Sequence, residues 1–152
     1  MRSLVPALIA LAGCHLGPVW RPGDEPLALW VDDQIGGADR AATVCRIWAP
    51  AGVECMPATR SEADVTVIGV ADLPGVRIGV AAERLRQIKV DVPRSRLHDR
   101  ETVDAIVAHE FGHLLGVIDH LDGRALMSAD LSSHTVTGAD IAAVWHAWRE
   151  AQ

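Results

Sequence analysis

The chain of 152 residues contains no tyrosine, one phenylalanine and three cysteines. It has no apolar run long enough to cross a bilayer as a helix. Without tyrosine, no phenolic hydroxyl is available to a reaction. Basic residues are outnumbered, 14 Lys and Arg against 20 Asp and Glu, for a formal charge of −6. A nucleic-acid surface is basic, so no nucleic-acid partner is expected. Repeats and low-complexity tracts are also missing. What is present is hydrophobic content near half with 22% charged residues, the composition of one globular domain with a sizeable core.

The first fourteen residues stand apart. "MRSLVPALIALAGC" has Arg2 at the front, an apolar stretch from Leu4 to Ala12, and small residues before Cys14. This is the pattern of a secretory signal and is left out of the fold. Its ending, Leu11-Ala12-Gly13-Cys14, resembles the bacterial lipobox, in which the cysteine is lipidated and becomes the mature N-terminus. We therefore expect an exported lipoprotein anchored through Cys14. His15 follows instead of aspartate, which points to the outer membrane or cell surface; an ordinary cleaved signal and a secreted product is the alternative. With Cys14 lipidated, Cys45 and Cys55 remain as an even pair. They can form a disulfide in an oxidising compartment or stay as two small buried thiols, and the sequence does not choose.

Residues 15–26, "HLGPVWRPGDEP", hold three prolines and two glycines and read as a tether. A domain over 27–152 follows. "LALWV" (27–31) is a first strand. Ala41, Val44, Cys45 and Trp48 repeat at helical spacing, so 38–49 is an amphipathic helix ended by Pro50 and Gly52. "VECM" (53–56), "DVTVIGV" (64–70), "VRIGVAA" (76–82) and "IKVDV" (88–92) read as strands. Asp99 can cap a helix that must stop near Gly116. "TGAD" (137–140) opens a last helix carrying Ile141, Val144, Trp145 and Trp148. The order β-α-β-β-β-β-α-loop-α predicts an α+β fold, a mixed sheet with helices packed on it.

Chemistry concentrates in "HEFGHLLGVIDH", residues 109–120. On a helix His109 and His113 share one face, so both imidazoles can meet one ion, with Glu110 able to reach a water on it. Zinc suits imidazole and lowers the pKa of bound water towards neutrality, and Glu110 would then act as general base. Gly116 sits where the helix must end so that a third ligand can swing back. Two residues offer themselves, Asp119 and His120.

With "LMS" downstream, this stretch resembles the metzincin signature, H-E-x-x-H-x-x-G-x-x-H/D with a Met-turn. Within that clan the close is similar to snapalysin and the rest to a minimal matrixin domain, over roughly residues 27–150. The resemblance implies a twisted five-stranded sheet with one antiparallel edge strand, an active-site helix, a Met-turn at Met127 and a C-terminal helix. It implies a monomeric zinc endopeptidase acting on protein or peptide through Glu110. One zinc ion would be held by His109, His113 and a third ligand, which register places at Asp119, three residues after Gly116. Chemistry offers His120 as the alternative, imidazole being the commoner third ligand. Substrate would pair antiparallel with the edge strand, for which 76–82 is the candidate. Two departures stand out: no pro-domain with a cysteine switch fits between Cys14 and Leu27, and no tyrosine follows the Met-turn. The rival reading is a non-catalytic zinc-binding lipoprotein that uses the same fold to hold a partner.

Overall fold

Leu27, Leu29 and Val31 alternate with Ala28 and Trp30, and a period of two puts the first set on one face. In the computed structural model, which describes residues 17–151, this stretch is strand β1 (Leu27–Val31), with the three aliphatic side chains buried. Strands β2 (Cys55–Pro57), β3 (Val65–Val70), β4 (Gly79–Ala82) and β5 (Gln87–Asp91) complete one sheet in the order β2-β1-β3-β5-β4. β1 runs parallel to β2 and β3, and β3 parallel to β5. β4 lies at the edge, antiparallel to β5. The strand expected at 53–56 begins later, because Val53 packs into the core after the turn at Gly52 and pairing starts at Leu27↔Cys55.

Helix α1 (Gly37–Trp48) buries Ala41, Val44, Cys45 and Trp48, the stripe its spacing predicts. A single turn, α2 (Val92–Ser95), follows β5; at four residues it is too short for a period to reveal it. Asp91 caps it, accepting from Arg94 N at 2.8 Å. Helix α3 (Arg100–Leu114) starts where Asp99 accepts from Thr102 N at 2.7 Å. Helix α4 (Gly138–Glu150) starts with a capping box between Thr137 and Asp140. α1 packs on β1 and β2, α3 on β4 and β5, and the two helices on each other. Trp48 Nε1 donates to Ala108 O at 2.8 Å, and buried Arg40 pairs with buried Asp104. α3 is thus held at a fixed height over the edge of the sheet.

Residues 17–26, read from the sequence as a tether, belong in part to the domain. Trp20 is 2% exposed and meets Trp148 edge-on, with ring centroids 5.3 Å apart. Val19 N donates to Leu114 O at 3.0 Å. Proline and glycine punctuate this arm, but one buried indole docks it, because an aromatic of that size removes much apolar surface from water. Residues 1–16, with the signal-like segment and Cys14, lie outside the described residues. Among the described residues no helix is long and apolar enough to cross a membrane.

Cys45 on α1 and Cys55 on β2 are joined by a disulfide, with a Cα–Cα separation of 5.2 Å. Their sequence separation is 10 residues. Closing so short a loop in the unfolded chain contributes about 3 kcal/mol on the chain-entropy model. Reduction, or Cys45→Ala with Cys55→Ala, is therefore expected to lower stability by about 2–4 kcal/mol in denaturant unfolding. An unchanged midpoint would remove the bond from the stability of the fold.

Candidate metal centre

α3 ends in a turn that is dictated by one glycine. Gly116, at φ 107°, takes the left-handed conformation, and its N–H donates to His113 O at 3.1 Å. Val117 N donates to Gly112 O at 3.1 Å, completing the paired bonds of a Schellman close. A Cβ at Gly116 would lie 3.0 Å from Ala147 Cβ and 3.4 Å from Pro18 Cβ, so packing and dihedral both require glycine. The close turns Val117 O back towards the helix, 2.6 Å from His113 Nδ1. A carbonyl only accepts, so Nδ1 carries the proton and Nε2 keeps its lone pair.

His109 is fixed in the same way from the other side. Its Nδ1 lies 2.8 Å from Leu126 O, in the buried turn of Ala125, Leu126, Met127 and Ser128. That turn is held by Asp140 at the head of α4. The fully buried carboxylate accepts from Leu126 N at 3.1 Å and Met127 N at 2.8 Å, and from Thr137 N and Oγ1, both at 2.7 Å. Met127 packs beneath α3 at Gly112, where a Cβ would stand 2.3 Å from the Met127 sulfur and 2.6 Å from Trp48 Cζ2. The glycine inside "HEFGH" is thus a packing requirement of the methionine. Neither Gly112 nor Asp140 was singled out from the sequence, although the aspartate stood in the recognised "TGAD" start.

The third group is His120. The donor atoms of His109, His113 and His120 lie within 4.8 Å of one another. Ring centroids are 5.0 Å apart for His109–His113, 5.2 Å for His109–His120 and 5.4 Å for His113–His120. Asp119, placed by register as the third ligand, is not brought to the cluster. It is exposed and lines a separate groove with Pro18, Ile118 and His146. The chain bends at Asp119, and of the adjacent Asp-His pair it is the imidazole that joins the two helix histidines. His134 is half-buried, 3.4 Å from Glu101.

Glu110 lies beside the histidines and turns to the sheet, where its Oε2 accepts from Ala81 N at 2.8 Å. Burial pushes its carboxyl above the usual range, against the pull of His109 and the Ala81 amide. Burial also lowers His109 and His113, opposed by the carbonyls of Leu126 and Val117 respectively. Both imidazoles are therefore neutral near pH 7, the form that ligates a metal. The groups open into a cleft of about 500 Å³, walled by β4 and its approach on one side and by Ser128 to Leu131 on the other. Three imidazoles, two with ring orientations fixed by outer hydrogen bonds, form a donor set that could hold a metal ion and whose chemistry suits zinc, with the half-buried Glu110 carboxylate beside them. No protein family model, curated protein or solved structure matches the chain.

Proposed function

We propose that this protein is a zinc-dependent endopeptidase of the metzincin type. The observation that carries the proposal is the convergence of three imidazoles beside a half-buried carboxylate, in a cleft that runs along an antiparallel edge strand. His109, His113 and His120 would hold one zinc ion. When bound, zinc supplies a Lewis acid that polarises a carbonyl and lowers the pKa of water. Glu110 accepts a proton from the attacking water at its carboxylate and delivers it to the amine that leaves. Met127 packs under the site without ligating, in the manner of a Met-turn. β4 offers its free side to an extended polypeptide, so the substrate is protein or peptide, recognised through its backbone. The disulfide supports an oxidising compartment, in keeping with an exported monomer anchored by lipid at Cys14.

The experiment is cleavage of an unfolded protein such as casein by the purified chain, with and without a chelator. Cleavage that stops with chelator, returns with zinc and is lost in His109→Ala supports the proposal. One zinc per chain without any cleavage would instead favour a zinc-binding lipoprotein that holds a partner.

A further inference from the structure

β4 does more than line the cleft. Asp91 N donates to Ile78 O at 2.8 Å, and the register continues as Gly79↔Val90, Val80↔Lys89 and Ala81↔Ile88. Hydrogen-bonded and non-bonded pairs alternate in an antiparallel ladder, so Gly79 and Ala81 turn their N–H and C=O groups away from β5. The outward Ala81 N–H is already taken: it donates to Glu110 Oε2 at 2.8 Å. The other outward position lies close against α3. A Cβ at Gly79 would lie 2.9 Å from Ile106 Cγ2 and 3.2 Å from Glu110 Cγ. A side chain there would have to displace Ile106 or Glu110, or push strand and helix apart.

We propose that the backbone of β4 is the seat of Glu110, with Gly79 and Ala81 as its positioning residues. Gly79 sets the distance between strand and helix, and the Ala81 N–H fixes one carboxylate oxygen. The other oxygen, Oε1, is then the one left to take the proton. A charge-assisted bond made before substrate arrives leaves less reorganisation to the reaction itself. The same contact shapes recognition at the edge. A peptide laid along β4 finds the Gly79 N–H and the Gly79 and Ala81 carbonyls, but not the Ala81 N–H. Recognition is therefore one bond short where the base sits.

The role in turnover rests on Glu110 being the base; the contact itself does not, and the two are tested separately. Amide hydrogen exchange on the full chain without metal reads the contact. After correction for intrinsic rates, the Ala81 amide is expected to exchange at least about tenfold more slowly than the equally outward Gly79 amide. Glu110→Ala should abolish that difference. Equal rates in the parent protein would overturn the proposal whatever the protein catalyses. Protection of Ala81 in a chain that cleaves nothing would keep the seat and remove the peptidase reading.

The turnover arm uses Ala81→Pro, since proline is tolerated at an edge position whose N–H faces away from the sheet. It is expected to lower kcat about tenfold or more, with KM and zinc content little changed, as for a misplaced catalytic group. If Ala81→Pro does not fold, Gly79→Ala is read for the same split, with Ile106→Ala added to relieve the collision at that side chain. A folded variant with normal kcat, or one changed in KM alone, would overturn the positioning role.

Discussion

Glu110→Gln protein is expected to hold zinc as the parent does and to turn over peptide at least ~10²-fold more slowly, the contribution of a positioned general base. Glutamine has the size of glutamate, and its amide oxygen can still accept from the Ala81 N–H, so the side chain keeps its seat. What it loses is the capacity to take a proton at neutral pH. The surroundings make that loss decisive, because burial raises the carboxyl of Glu110 towards the pH at which a base both accepts and returns a proton. The measurement is kcat at saturating peptide alongside elemental analysis for zinc. Near-normal kcat in a zinc-loaded variant would take Glu110 out of the mechanism.

The second large effect separates two neighbouring residues. His120→Ala should weaken zinc binding by more than the roughly 10–100-fold that loss of an outer hydrogen-bond partner costs, since a direct ligand is removed. Asp119→Ala should leave zinc affinity nearly unchanged, because that carboxylate lines another groove and is not among the clustered groups. Competition with a chromophoric chelator gives both constants. The reverse pattern would restore Asp119 as ligand and make His120 its neighbour.

That pair also marks where the sequence stops being informative. Strands β1, β3 and β5 and the helices α1, α3 and α4 follow from periodicity and capping residues, because those signals are local and repeat. The partnership of His109 and His113 is of the same kind, since helix geometry alone puts them on one face. Beyond Gly116 the chain has no period, and a choice between residues 119 and 120 depends on how the segment to Leu121 twists. That twist is tied down by Leu121 N donating to Met127 O at 2.9 Å, a contact that closes the loop between them. Trp20 was hidden for a related reason: prolines and glycines around it signal loop, and loop composition does not say whether one aromatic docks. Gly112 and Asp140 do their work through partners distant in sequence, a methionine sulfur and two amides of the turn it belongs to. Ala81 carries no side-chain signal, because its contribution is an N–H whose direction depends on strand register.

The claim that the three histidines make a catalytic zinc site is tested most directly by titrating metal-free protein with zinc while following peptide cleavage. The expected result is that cleavage rises in proportion to zinc and levels off at about one ion per chain, with His120→Ala failing to reach the plateau at the same concentrations. Cleavage that is already complete without zinc, or zinc that saturates the histidines while no peptide is ever cut, would contradict it.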